Sequence, residues 1–440
     1  MKRLALTSWV LLALVCGTSS AEAAMTAKRT VLNNGMVLLT SEQRTLPMVS
    51  IELLIDAGSR FEPADQAGLA NLTSRLLLYG TKQRSASQIS EALDFIGASL
   101  EASCGQDTAS MSMTMLKKDL TTGLELLADV LTQSTFPQGE IDRQKQAIIG
   151  SIRAAEEEPG HVAGKAFAAA LFPQSPYGRP MEGTEASVKA LTQKGLREFF
   201  ARNYRPNRAI LAVVGDVSEA EIVKALNGAF RNWTKGEPSG TVPAPTKIGP
   251  AKVVRINKDL TQANIVLGHN GVDRANPDYY AIQVMNYILG GGGFSSRAMD
   301  SIRNERGLAY SVYSFFAAEK SHGAFEFVMQ TKNETALEAL RIATDEMRRM
   351  REELVSEQEL NDAKDYLIGS FPLRFDTNRK VAGFLSQVEY FKLGMDYPDR
   401  YADLIRRVAR EDVQRVAKQY LQPEQLITVI VGNLKKVGEK

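Results

Sequence analysis

The chain is poor in the residues that hold metals and form cross-links. Of its 440 residues, two are cysteines, Cys16 and Cys104, and three are histidines, His161, His269 and His322. Cys16 lies in a leader-like segment, so an exported chain would keep Cys104 alone and form no internal disulfide. Its stability then has to come from packed cores. No two histidines stand at the spacing of a helical metal pair. The nearest candidate group is Glu158 with His161, but Pro159-Gly160 breaks a helix between them. His161 therefore reads as a solvated loop residue after an exposed acidic turn, Glu156 to Glu158. Net charge is only +2, and no dense Lys/Arg stripe with interleaved aromatics occurs, which sets nucleic-acid binding aside. Past the leader, no apolar run is long enough to span a bilayer.

The rest of the composition is that of a globular protein, 44% hydrophobic and 24% charged. The length suggests several domains, each able to bury its own core. Lys2 and Arg3, the apolar run Leu4 to Val15 and the small-x-small site Ala21-Glu22-Ala23 read as a cleaved signal peptide over 1–23. Leu14-Val15 before Cys16 lacks the small residues of a lipidation site. A periplasmic location is the expectation.

Beyond the leader, one plan occurs twice. A Pro-, Gly-, Ser- and Thr-rich stretch, 232–250, reads as a linker between domains at 24–231 and 251–440. Each side opens with a strand-like run, Val49 to Ile55 and Ala263 to Gly268. Each continues with an apolar helix, Ala67 to Tyr79 and Asp278 to Leu289. A longer helix follows with a Gly-Ser pair, Gly150-Ser151 and Gly369-Ser370. Each side closes on a strand ending in glycine, Ile210 to Gly215 and Ile427 to Gly432. The order of these matches argues for duplication. Partly alternating strands separated by amphipathic helices predict two α+β domains, each a mostly antiparallel sheet with helices on one face.

The run Ala57-Gly-Ser-Arg60, Gly68-Leu-Ala70 and Leu76 to Thr81 resembles the frame around the inverted zinc motif His-x-x-Glu-His of the insulinase/pitrilysin peptidases. In that family two histidines one turn apart bind zinc, the Glu between them activates water, and a distal Glu completes the metal shell. Here the five motif positions read Asn71-Leu72-Thr73-Ser74-Arg75. Asn71 and Arg75 replace the histidines, Ser74 replaces the base, and the distal ligand falls near Ser151. The aligned helix of the second half carries Ala281, Val284 and Met285 at the same positions. The resemblance thus implies the fold without a metal site in this chain.

The second half carries a further resemblance. Ile288 to Arg297 (ILGGGGFSSR) followed by Ile302 to Ser314 is similar to the family's carboxy-half signature. In it an Arg and a Tyr hold the substrate backbone near the scissile bond, and the matching residues here are Arg303 and Tyr310. The bland reading makes Arg303 a surface ion-pair partner and Tyr310 a core aromatic. Ser295 or Ser296 is expected to cap a helix running to about Glu305, Gly307 to end it, and Leu308 to Ser314 to form a strand. The glycine run Gly290 to Gly293 lacks phosphate-binding context. It reads as a flexible loop that lets a peptide come close, making Gly291, Gly292 and Gly293 further substrate-binding candidates, with a plain tight turn nearly as good a reading.

Short members of the family assemble two chains into a clamshell, in some cases one with zinc and the other with the Arg/Tyr pair. The resemblance therefore implies a non-catalytic, substrate-gripping subunit of a heterodimeric zinc peptidase, with zinc in a homologous His-x-x-Glu-His partner and none bound here. The alternative is a metal-free peptide-binding or scaffold protein without a peptidase partner.

Overall fold

The computed structural model describes residues 27–240 and 251–438. The leader and linker residues 241–250 lie outside the described residues. The first sheet has six strands: β1 (Lys28–Val31), β2 (Val37–Glu42), β3 (Met48–Ile55), β4 (Ser99–Cys104), β5 (Ala109–Leu116) and β6 (Ala209–Gly215). The second has five: β7 (Lys252–Asn257), β8 (Gln262–Asn270), β9 (Ala309–Ala318), β10 (Gly323–Lys332) and β11 (Ile427–Gly432).

The strand orders are β1-β2-β6-β3-β5-β4 and β7-β11-β8-β10-β9. Without β1, they match position for position. Each sheet also has one parallel pair at the same place, β2 with β6 and β7 with β11, and is otherwise antiparallel. The duplication read from the sequence is thus a duplication of topology.

Alternation determines which face each strand buries. In β3, Val49, Ile51, Leu53 and Ile55 point into one core and pair across to Met115, Met113, Met111 and Ala109 of β5. In β8, Ala263, Ile265 and Leu267 do the same against Thr331, Met329 and Phe327 of β10. Helices of the same half cover these faces.

The opposite faces show an exchange that periodicity does not reveal. The Pro159–Leu171 helix, contributed by the first half, lays Ala163, Phe167 and Leu171 on Val266, Ile427, Val429 and Val431 of the second sheet. The Asn378–Tyr390 helix, contributed by the second half, lays Val381, Ala382 and Leu385 on Leu39, Ala212 and Val214 of the first. Gly268 makes room for this arrangement, since a Cβ there would lie 2.8 Å from the Phe167 ring and 2.0 Å from the Phe325 carbonyl oxygen.

Polar contacts join the halves at a second place. Arg60 donates to Asp56 (2.5 Å) and lies 3.3 Å from Asp107. The Asp107 carboxylate also accepts from Tyr177 (3.0 Å) and from Tyr390 of the second half (3.1 Å). His322, in the β9–β10 turn, stacks on Tyr177 with centroids 3.5 Å apart.

The start of the expected linker is tied down. Trp233 is buried and donates to the Tyr204 carbonyl (3.0 Å), and Arg208 holds the carbonyls of Glu237 and Pro238. His161 differs from expectation. Pro159 does break the acidic helix, which ends at Glu156, but it also starts the next one. A proline suits a first helical turn, whose N–H groups have no intrahelical acceptor. His161 is therefore exposed but helical, 3.7 Å from Glu182.

Candidate functional site

The helix at the degenerate zinc position spans Leu69–Leu76. No side chain caps it in the usual way; Gly68 stands before it in the left-handed region, φ +93°. A Cβ on Gly68 would meet the Glu182 carbonyl oxygen at 2.7 Å, so only glycine fits. The orphan N–H groups are satisfied by buried Glu62, whose carboxylate accepts from Gly68 (3.2 Å) and Ala70 (2.7 Å). Burial pushes the Glu62 carboxyl up to about 7, against the pull of those two backbone bonds.

The frame is intact, and the side chains it presents do not fit zinc. Ser74 is buried with its hydroxyl close to the Tyr204 hydroxyl, and the two do not make a well-aligned hydrogen bond. Burial pushes the Tyr204 phenol far above its ordinary value. Asn71 is half-buried, and Arg75 projects into solvent. The Gln138–Glu156 helix packs alongside, but its Ser151 is exposed and donates back to the Ala147 carbonyl (3.0 Å). An amide, two hydroxyls and a guanidinium are a poor donor set for zinc, which takes thiolate, imidazole or carboxylate. Cys104 is no substitute: burial pushes its thiol up to about 12. His269 is fully buried, accepts from the Gln422 N–H (3.1 Å), and is held down at about 4 by burial. Among the described residues, no three of His, Cys, Asp and Glu gather as a metal cage.

The second half builds a different site. The chain leaves the Tyr279–Asn286 helix through a widened π turn, Tyr287–Gly291, and a short 3-10 turn, Gly293–Ser295. A second π segment covers Met299–Asn304. This replaces the regular helix expected there. Ser296 stands at its start: its hydroxyl donates to the Gly293 carbonyl (2.7 Å) and accepts a long bond from the Met299 N–H (3.4 Å). Gly307 ends the segment at φ +62°, and β9 follows.

Two glycines of the run have no room for a side chain. A Cβ at Gly291 would lie 2.7 Å from the Asn286 side chain, and one at Gly292 2.8 Å from the Tyr287 ring. A side chain at Gly291 or Gly292 would therefore displace the protein's own neighbours. Gly293 has open space and φ +57°. Two clamps hold the turn. Asn286 exchanges hydrogen bonds with Ser314 of β9, and Arg297 forms a bidentate pair with Glu359 at 2.6 and 3.0 Å. Burial would raise Glu359, but the Arg297 pair and the Ser356 backbone N–H outweigh it and hold the carboxyl down at about 2.

Arg303 and Tyr310 come together at the surface of this scaffold. The Arg303 guanidinium carbon lies 5.4 Å from the Tyr310 ring centre and 5.0 Å from that of Phe294. Tyr310 is 75% exposed and Phe294 73%, so neither is a core aromatic. Among the described residues, no carboxylate pairs with Arg303, and its one polar contact is a long one to the Met299 sulfur (3.8 Å). Both facts count against the bland reading. Phe294 is the residue that sequence reasoning missed; its signal was a large apolar side chain directly after four glycines.

Comparison with known proteins agrees with this architecture. Residues 37–185 match the family model for insulinase (peptidase family M16), and residues 190–367 match that for the peptidase M16 inactive domain. The chain belongs to the insulinase family. An uncharacterized zinc protease of Streptomyces coelicolor is 28% identical, covering 93% of this chain and 90% of its own. One from Rickettsia bellii is also 28% identical, over 91% and 97%. Among solved structures, a peptidase M16 inactive domain from Pseudomonas fluorescens superposes with a TM-score of 0.88 at 26% identity, covering 93% of this chain and 98% of that one. A protease from Helicobacter pylori shares the fold, with a TM-score of 0.84 at 20% identity over 92% and 99%. This insulinase-family chain differs from the motif of a zinc peptidase at Asn71, Ser74 and Arg75. No helix of the described residues is long and apolar enough to cross a membrane.

Proposed function

We propose that this chain is the non-catalytic, substrate-gripping subunit of a periplasmic heterodimeric zinc peptidase. The zinc centre would belong to a homologous partner with an intact His-x-x-Glu-His motif. The observation that carries the reading is the contrast between two sites on one duplicated frame. The first-half site offers hydroxyls, an amide and a cation where ligands are needed. The second-half site keeps a guanidinium with no carboxylate partner among the described residues, beside an exposed phenol. Both groups are hydrogen-bond donors, and a peptide carbonyl is the acceptor they suit. Donors already in place where negative charge develops on a carbonyl oxygen stabilise the transition state more than the ground state.

The test is recovery of the tagged mature protein from its native periplasm, with co-purifying chains identified by mass. A stoichiometric partner carrying His-x-x-Glu-His is expected. Within that pair, Arg303→Ala should lower peptide turnover roughly 10- to 100-fold, the loss of a charge-assisted hydrogen bond, without dissociating the chains. Unchanged kinetics would remove Arg303 from the mechanism. Recovery of the protein alone would favour a metal-free peptide-binding or scaffold role.

A further inference from the structure

We infer that Glu326 seats a Lys or Arg side chain of the bound peptide, about five residues along from the point that Arg303 and Tyr310 hold. This rests on the reading that those two groups grip a peptide backbone, and it adds a side chain that the peptide carries.

Glu326 stands on the outer face of the second sheet. Its strand neighbours Phe325 and Phe327 point into the core of that half, while Ala324 and Val328 share its face and join the cluster under the Pro159–Leu171 helix. Gly268 lies directly across on β8 and Phe315 directly across on β9. The helix rests on β8 and β11, with the Phe167 ring beside Gly268. On the β9 side the face is open: Tyr313 is 44% exposed and Phe315 half-buried, with ring centres 6.2 Å apart. Glu326 thus sits between the covering helix and an open aromatic shelf.

The carboxyl lacks a counter-ion. Among the described residues no donor or cation pairs with it, yet its oxygens are not sealed from solvent. Ala324, Val328, Val266 and Phe315 around it carry neither a charge nor a side-chain donor. The comparable carboxyl of the first sheet is provided for. Glu52, beside Ala212 on that sheet's outer face, accepts from Ser112 and has the Arg379 charge nearby. A carboxylate partly removed from water without a partner is costly, and an incoming cation compensates it. Among the described residues no second acid joins Glu326 to form a metal cage. The shelf instead suits Lys and Arg, whose stems lie along apolar surface and whose charges sit well against aromatic rings.

β9 connects this position to the grip. Glu326 pairs with Phe315, Val328 with Tyr313 and Gln330 with Ser311; a bulge then leaves Tyr310 unpaired before Thr331 meets Ala309. Glu326 and Thr331 are five residues apart on β10, about 17 Å of strand. An extended peptide covers that distance in about five residues.

The experiment is fluorescence-anisotropy titration of the mature chain with labelled, end-capped peptides of Ala, Ser and Gly, about ten residues long so as to span both positions. One carries lysine near its N-terminus, a second carries it near its C-terminus, and a third has norleucine instead. At least one lysine peptide is expected to bind about 10- to 100-fold more tightly than the norleucine peptide, the range of one charge-assisted contact. Glu326→Gln should bring it down to the norleucine level, and Glu326→Asp should keep part of the preference. Arg303→Ala should weaken the full-length lysine peptide but not one cut to fewer than about four residues beyond its lysine, which cannot reach Arg303. A lysine preference that survives Glu326→Gln overturns the inference, because the cation then sits elsewhere. Equal binding of lysine and norleucine peptides, both weakened by Arg303→Ala, overturns it too but keeps the grip. A preference that needs Glu326 yet ignores Arg303 at every length overturns the five-residue spacing together with the grip. No binding of any peptide overturns both. Gln has the size of Glu, and melting curves verify that each variant folds.

Discussion

At the scale of single residues, what the sequence discloses depends on how far apart the cooperating groups lie along the chain. Arg303 and Tyr310 are legible because both sit within one short signature. Phe294 is not, because its approach to Arg303 depends on a tight 3-10 turn followed by a widened π segment, a geometry no side-chain period announces. Glu62 escapes for a similar reason: its carboxylate crosses six and eight residues to cap a helix that has a glycine at its N-cap. Buried carboxyls of this kind also leave a signature in stability. Glu326 lies on β10 opposite Phe315 and Gly268, and burial alone pushes its carboxyl up to about 7. An unfolded Glu titrates near ~4.3, so between about pH 4.5 and 7 the folded chain holds a proton that the unfolded chain releases. This contribution to stability is present at low pH and is lost as pH rises to about 7. Glu326→Gln should therefore gain stability relative to wild type across that window, on the order of 1–2 kcal/mol at its upper end. Urea unfolding of the two proteins from pH 5 to 8 measures the difference; parallel curves would show that Glu326 is not desolvated. The comparison has to be differential, because His269 and His322, both lowered to about 4 chiefly by burial, act in the opposite direction as pH falls below 6.5.

At the scale of elements, the sequence discloses which face of a helix is apolar but not which sheet it meets. The stripe Ala163, Phe167 and Leu171 has helical spacing and would pack equally well in principle on either sheet. What decides is the second sheet's outer face, where Val266, Ile427, Val429 and Val431 form one cluster with Ala163, Phe167 and Leu171, and where Gly268 leaves space for a ring. Phe167 is fully buried at that place. Phe167→Ala should cost about 3–5 kcal/mol, the sum of lost transfer energy and the cavity left behind. Because the ring belongs to one half and its seat to the other, fluorescence and circular dichroism should both report the loss as one shifted transition. A loss below about 1 kcal/mol would mean that the helix does not rest on the second sheet in solution. Gly268→Ala probes the same contact from the other side: its Cβ would strike the Phe325 carbonyl as well as the ring, so it should be destabilising although it adds only a methyl group.

At the scale of the whole molecule, duplication was legible because four landmarks recur in order, and the matched strand orders are its structural form. Independence of the two halves does not follow from it. Each sheet needs a helix that the other half supplies, and Asp107 of the first half needs Tyr390 of the second to satisfy its carboxylate. A fragment ending before the linker would keep the Pro159–Leu171 helix with its apolar stripe uncovered, and would lose the Asn378–Tyr390 helix from its own sheet. Apolar faces of that kind drive association when exposed. Produced separately, residues 24–240 and 251–440 should each be aggregated or molten, with weak near-ultraviolet circular dichroism. Co-expressed, they should assemble one to one and recover a single sharp melting transition. The sequence alone would predict the opposite, two repeats joined by a polar linker and each folding by itself. Two fragments that are monomeric, well packed and separately cooperative would show that the exchanged helices contribute little. Mutual dependence would explain how the degenerate first half is retained: it is the support on which the second half, with Arg303 and Tyr310, is folded.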